Sequence, residues 1–283
     1  MTAIVIDGKS IAREERKELR KRIERLAGRG ITPGLAVVMV GEDPASKVYV
    51  RNKIRACKEL GICSSSVVLP LDADQTALLN TIKSLNHDDK VHGIIVQLPI
   101  PKHLDVRAVT ESIDLHKDVD GFHLYNVGGL MVGNMVFPPC TPYGVQVLLE
   151  RSGIEVQGKN VVVVGASNIV GKPMAMMLLR NDATVSICHV KTRDLAQYTI
   201  LADILVVAAG QPRLIRPEMV RRGAVVIDVG INRLEDGTLV GDVDFETVCE
   251  KASYITPVPG GVGPMTVTML LHNTVSAAER AGR

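Results

Sequence analysis

Val161-Val-Val-Val-Gly165-Ala-Ser167-Asn-Ile-Val-Gly171-Lys-Pro173 reads as a buried strand that runs into a glycine-bearing turn and then into a helix whose first turn holds Pro173. At such a helix start the backbone N–H groups lack intrahelical acceptors and the dipole is positive, so a pyrophosphate is the group that fits. The spacing is G-x-S-x-x-x-G rather than G-x-G-x-x-G, so the reading rests on the strand, turn and helix context rather than on the pattern alone. A tight turn with no ligand is the plainer alternative. Two glycines and a serine converging on one helix start favour the nucleotide.

The same alternation extends outward from this turn. Strand-like runs at 161–164, 184–188, 204–208 and 224–228 are separated by helical segments, the pattern of a nucleotide-binding α/β unit. On the N-terminal side, 35–40, 66–69 and 93–97 read as strands of one sheet, with helices over 44–60 and 75–85 and a charged amphipathic stretch over 11–26. From 114 to 142 the periodicity disappears into Gly, Pro and Asn, a stretch too long for an ordinary connection. After Pro264 the chain turns helical again, with Val267, Leu270, Leu271, Val275 and Ala278 at helical spacing. The fold class is α/β. Residues 1–142, completed by a C-terminal helix over 266–283, form one α/β domain, and 143–265 form a Rossmann-like domain with a mainly parallel sheet.

Composition removes several classes of function. The 283 residues, 46% of them hydrophobic, suffice for two cores. With 33 basic against 31 acidic residues, 3% aromatics and no Trp, neither a phosphate-tracking groove nor a base-stacking platform is expected, so nucleic acid is not a partner. No basic leader precedes an apolar core and no apolar run reaches the ~20 residues that span a bilayer, which points to the cytoplasm and no membrane. Cys57, Cys63, Cys140, Cys188 and Cys249 are odd in number with no C-x-x-C pair and read as reduced thiols. The seven histidines are scattered without ligand spacing, so no metal is expected.

Chemistry-bearing residues cluster in a few motifs. An NAD-binding fold places an acidic residue at the end of its second strand; here that strand ends Cys188-His-Val190-Lys191-Thr-Arg193, whose two cations favour the 2′-phosphate of NADP. Asp228-Val-Gly230-Ile231-Asn232 ends a later strand at the same edge, where loops contact ligands. Ser46, Tyr49 and Lys53, at i, i+3 and i+7, share a helix face, although an arbitrary Y-x-x-x-K is more often a packed ring and a solvated amine. Gly93-Ile-Ile-Val-Gln97-Leu-Pro99-Ile-Pro101 delivers a glutamine to a strand end. Lys117-Asp118-Val-Asp120-Gly121-Phe-His123 sets two carboxylates beside a glycine, where a turn is the common explanation and pairing with an amino-pyrimidinone ring the functional one. Pro139-Cys-Thr141-Pro142 and Thr256-Pro257-Val-Pro259-Gly260-Gly261-Val-Gly263-Pro264-Met265-Thr266 read as the stiffest loops, a fixed backbone path against a ligand.

Together these motifs resemble the bifunctional methylenetetrahydrofolate dehydrogenase/methenyltetrahydrofolate cyclohydrolases over nearly the whole chain. The resemblance rests on Val40 to Ser46 through Tyr49 and Lys53, Val96 to Pro101, Lys117 to His123, Pro139 to Pro142, Gly165 to Gly171, Asp228 to Asn232 and Pro257 to Thr266. It implies a two-domain homodimer with a folate cleft between the domains. It further implies that Lys53 is the key catalytic residue, Tyr49 contacts the pterin, Gln97 orients Lys53 and Asp120 holds the pterin ring. Gly165, Ala166, Ser167 and Ile231 would line the NADP site, and Pro259 and Gly260 would touch the tetrahydrofolate substrate. Two positions depart from the family pattern: many members carry Arg where this chain has Ala166, and Ser where it has Val190.

The expected chemistry divides in two. Loss of hydride from the methylene carbon leaves a cation shared by two nitrogens and needs alignment more than a base. Hydrolysis of that cation needs a proton taken from water, and Lys53 is the candidate to take it. A short-chain-type dehydrogenase using Tyr49 and Lys53 is a second reading, against which stands their place more than a hundred residues before Gly165. A non-enzymatic NADP-binding module is a third.

Overall fold

The computed structural model describes residues 2–282. It opens with β1 (Ile4–Val5) and the helix α1 (Gly8–Ala27). Then follow β2 (Gly34–Val40), α2 (Pro44–Leu60), β3 (Cys63–Leu69), α3 (Gln75–Asn86), β4 (Gly93–Val96) and α4 (Val106–Ser112). Helices α5 (Leu124–Val132) and α6 (Cys140–Arg151) lead to β5 (Asn160–Val164), α7 (Gly171–Arg180), β6 (Thr184–Cys188) and α8 (Ala196–Thr199). The series ends with β7 (Ile204–Val207), β8 (Val225–Asp228), β9 (Asn232–Arg233), β10 (Leu239–Val240), α9 (Phe245–Val248), β11 (Tyr254–Ile255) and α10 (Val262–Ala281).

Two compact units result. One comprises Glu14–Cys140 with Val267–Arg283, the other Met1–Arg13 with Thr141–Thr266. The first is built on a three-stranded parallel sheet, β3-β2-β4. All seven residues of β2 and all four of β4 are buried, as expected of a strand covered on both faces. Ala36, Val38, Leu78, Ile82, Ile94 and Val109 form its core.

The second unit is a six-stranded sheet in the order β1-β11-β8-β7-β5-β6, every pairing parallel. The strand order reverses between β5 and β7, and the crevice at such a switch point is where doubly wound sheets bind ligands. Val162, Val164, Leu205, Val207, Val226 and Ile255 pack its core. The N-terminal strand β1 belongs to this sheet through its register with Tyr254 and Ile255, a two-residue pairing too short to announce itself by periodicity.

Three stretches differ from the sequence reading. The aperiodic 114–142 contains α5, whose sequence LYNVGGLMV carries two helix-weakening glycines. Tertiary bonds hold it instead: buried Asn126 donates to Asp118 and accepts from the N–H groups of Val136 and Phe137 at 2.8 and 3.1 Å. The two stiff loops are also helix starts, since Cys140 begins α6 and Val262 begins α10. Among the described residues no helix is long and apolar enough to cross a membrane.

Candidate functional site

Helix α2 begins where the sequence says it should. The Asp43 side chain accepts the N–H of Ser46 at 2.7 Å and Pro44 occupies the first turn. It ends at Gly61, in the left-handed region at φ 77°, whose N–H caps the last carbonyls. Along the face of 46, 49 and 53, Ser46 is buried, Tyr49 is 42% exposed and Lys53 is half-buried. The Lys53 Nζ donates to Gln97 Oε1 at 3.1 Å, and Gln97 Nε2 donates to the Leu98 carbonyl at 2.8 Å. Both ends of the amide are therefore fixed at the carboxyl end of β4, where Gln97 N–H is itself bound to the Val38 carbonyl.

The two carboxylates of 117–123 have separate tasks. Asp118 is 1% exposed and accepts from Phe122 N–H, His123 N–H and Asn126 Nδ2 at 3.3, 2.8 and 2.7 Å. Burial pushes its carboxyl above the usual range, against the pull of these donors. Asp118 closes the turn, whereas Asp120 stays half-buried two residues on. Gly121 makes this course possible: its φ is +77°, and a Cβ there would press on the backbone of Phe137 and Pro139 at 2.9 and 2.8 Å.

Cys140 lies within the electrostatic reach of both Lys53 and Asp120. Its thiol is pushed well above its ordinary value first by burial and then by the Asp120 carboxylate, while the Lys53 ammonium pulls it down. The thiol donates to the Val119 carbonyl at 3.2 Å, which also receives Asn273 Nδ2 at 2.9 Å. The structure thus gathers Lys53, Gln97 and Asp120 about Cys140, with Tyr49 one helical turn before Lys53. Cys140, Asp118, Asn126 and Asn273 were not singled out from sequence. Cys140 and Asp118 stand inside quoted motifs, Cys140 as a reduced thiol in a stiff loop and Asp118 as one of two carboxylates in a turn that could pair with an amino-pyrimidinone ring.

In the other unit, Gly165 leaves β5 at φ 120°, and a Cβ there would collide with the Ala208 carbonyl. A Cβ on Gly171 would in turn collide with the Gly165 carbonyl, so the two glycines let strand and helix approach closely. Ser167 Oγ accepts from Val170 N–H and Gly171 N–H at 3.1 and 3.3 Å and so turns the chain into α7. Ala166, Ser167, Asn168 and Ile169 place no backbone N–H on any acceptor among the described residues. Four unclaimed donors ahead of a helix start fit the pyrophosphate of a dinucleotide.

At the end of β6, Lys191 and Arg193 are exposed and make no ion pair among the described residues, which leaves two cations for a further phosphate. Val190 is 95% exposed and offers no polar group. Ile231, 43% exposed, follows β8 in this same unit. Pro259 and Gly260 also fold here and not with Tyr49 and Lys53; Gly260 has φ 118°, and its carbonyl accepts the N–H of Lys9 at 3.1 Å. No group of three or more His, Cys, Asp or Glu side chains suited to a metal occurs among the described residues.

Comparison with known proteins matches both units. Residues 6–120 fit the family model of the tetrahydrofolate dehydrogenase/cyclohydrolase catalytic domain, and 139–282 that of the family's NAD(P)-binding domain. The chain is 60% identical to the bifunctional protein FolD of Nitrosospira multiformis over 281 residues, 99% of this chain and 98% of that one. The bifunctional FolD methylenetetrahydrofolate dehydrogenase/cyclohydrolase of Campylobacter jejuni superposes with a TM-score of 0.97 at 53% identity, covering 98% of this chain and 99% of that one. The Trypanosoma brucei FolD, solved with NADP cofactor and inhibitor, gives 0.97 at 42% identity over 100% and 99%.

Proposed function

The chain belongs to the tetrahydrofolate dehydrogenase/cyclohydrolase family, and on that footing we propose that it oxidises 5,10-methylenetetrahydrofolate with NADP and hydrolyses the methenyl product to 10-formyltetrahydrofolate. NADP, when bound, supplies the hydride acceptor for the first step. The N–H groups of residues 166–169 hold its pyrophosphate, Lys191 and Arg193 take its 2′-phosphate, and Ile231 lines the site. Tyr49 contacts the pterin, and the Asp120 carboxylate accepts paired hydrogen bonds from its amino-pyrimidinone edge. Pro259 and Gly260 provide further contacts to the folate.

Hydrolysis uses a smaller set. Water adds to the methenyl carbon, one carbon–nitrogen bond opens, and a proton leaves. An amine close to that water assists by taking the proton, and Gln97 aims the Lys53 amine. The observation that carries this reading is the Lys53–Gln97 hydrogen bond with Asp120 acting on the same thiol. Supplying methylenetetrahydrofolate with NADP and following methenyl and then formyl product tests it; formation of NADPH without formyl product sinks the second activity.

The five cysteines are free, four of them buried, which suits a reducing compartment, and the cytoplasm is the location assigned. The protein is assigned as a homodimer. Among the described residues the seven-residue β3 pairs only with β2 and leaves an open edge on which a second copy can add a strand. Sedimentation at enzyme concentration tests that assignment.

A further inference from the structure

We infer that Asp242, with Asp228 behind it, is a positioning residue for the nicotinamide side of the dinucleotide site, an inference that rests on the dehydrogenase reading above. Strand order sets the geography. The β6 end carries Lys191 and Arg193 for the adenosine side, and the Gly165 turn after β5 takes the pyrophosphate. The loops after β7 and β8, on the opposite flank, are left for the nicotinamide.

Those two loops are pinned by one buried carboxylate. Asp242 is fully buried; its Oδ2 accepts from Ala209 N–H at 2.6 Å and Gly210 N–H at 2.8 Å. Its Oδ1 accepts from Gln211 N–H at 2.9 Å and from Asn232 Nδ2 at 2.8 Å. Three donors thus come from the loop after β7 and one from Asn232, which ends the loop after β8 and opens β9. Asp228, 2% exposed at the end of β8, holds the turn that carries Asp242 by accepting from Asp242 N–H at 3.0 Å and Val243 N–H at 2.9 Å, and it also accepts from Gly230 N–H at 2.9 Å.

Glycines at the crossing points admit the carboxyls. A Cβ on Gly230 would fall on the Asp242 carboxyl, and one on Gly241 would fall on an oxygen of Asp228. Ile231 therefore sits between two residues that the pair restrains, Gly230 through Asp228 and Asn232 through Asp242. The loop 209–211 is exposed, yet its three N–H groups are turned to a buried anion. Exposed loops seldom need three charge-assisted bonds to one carboxylate unless their position matters. None of these groups belongs to the unit of Lys53, Gln97 and Asp120, so the brace bears on oxidation and not on hydrolysis.

The two activities of one chain make the test internally controlled. In the full-length protein, Asp242→Asn should weaken NADP binding measured by titration calorimetry. It should lower dehydrogenase kcat/KM by about 100-fold, the scale of a misplaced reactant, while hydrolysis of methenyltetrahydrofolate supplied directly stays unchanged. Asn232→Ala, which removes one donor of four from an otherwise intact network, should raise the NADP Kd and KM by about 3- to 10-fold and spare hydrolysis likewise. Equal losses of both activities in both variants, or NADP binding unchanged in both, overturn the inference. Wild-type protein that binds no NADP overturns the dehydrogenase reading itself.

Discussion

Lys53 on α2 and Gln97 at the end of β4 are joined by an Nζ–H···Oε1 hydrogen bond of 3.1 Å. Helix α2 reaches β4 through β2, the central strand of its sheet, so the register of that sheet sets where the amine stands. The other end of the Gln97 amide is held by the Leu98 carbonyl at 2.8 Å, and a flipped amide would lose both bonds. One orientation of the lysine follows.

Replacing Lys53 separates the two reactions. Lys53→Met keeps the length of the side chain and removes its proton chemistry, so methenyl hydrolysis should fall by at least about 100-fold while measurable hydride transfer persists. Initial rates with methylenetetrahydrofolate and with methenyltetrahydrofolate, taken on the same preparation, check this. Equal residual activity of both kinds removes Lys53 from the role.

Gly165→Ala addresses the other unit. The added Cβ meets the Ala208 carbonyl at a backbone φ of 120° that L residues rarely adopt. The substitution should therefore cost at least about 1–3 kcal/mol of stability and displace the turn bearing the free N–H groups of 166–169. Thermal unfolding with and without NADP should show a lower Tm and no stabilisation by the cofactor. A variant that NADP stabilises as well as wild type would show that the turn tolerates the shift.

What could be read in advance follows from the range over which each signal acts. Asp43, Pro44 and Gly61 are local punctuation, and α2 runs from Pro44 to Leu60 as they dictate. Buried β2 and β5 announce themselves as apolar runs. Helix α5 escaped because Gly128 and Gly129 erase its propensity and the bonds of Asn126 to Asp118, Val136 and Phe137 restore it. Strand β1 escaped because two residues carry no period. At the site, Lys53 and Gln97 are legible as helix-face and strand-end residues, but Cys140 beside Asp120 and Asp242 beneath residues 209–211 depend on chain segments twenty or more residues apart.

The proposed choice of NADP rests on two cations with no carboxylate partner among the described residues. Because Lys191 and Arg193 are exposed and unpaired among the described residues, removing either leaves no buried charge behind. Lys191→Ala or Arg193→Ala should raise KM for NADP by about tenfold, the worth of a charge-assisted phosphate contact, with KM for NAD little changed. Side-by-side kinetics with the two cofactors check it. An equal rise for both would place the lost contact on the shared part of the dinucleotide.

Asp228 gives the fold a pH dependence of definite sign. Burial pushes its carboxyl up to about 7, against the backbone N–H groups of Val243, Asp242 and Gly230 and with the Asp242 carboxylate adding to the rise. A carboxyl whose folded value is raised binds its proton more tightly in the native state. Its contribution is therefore fully present below the unfolded value, 3.8, and is lost as pH climbs through about 7. Across that window the native protein holds a proton the unfolded chain has released, and stability should fall with pH by up to about 1.4 kcal/mol per unit from this group. Asp228→Asn cannot titrate, so its unfolding free energy, measured by denaturant across the window, should show a shallower decline than wild type. Parallel curves for the two proteins would mean that Asp228 is already ionised in the native state.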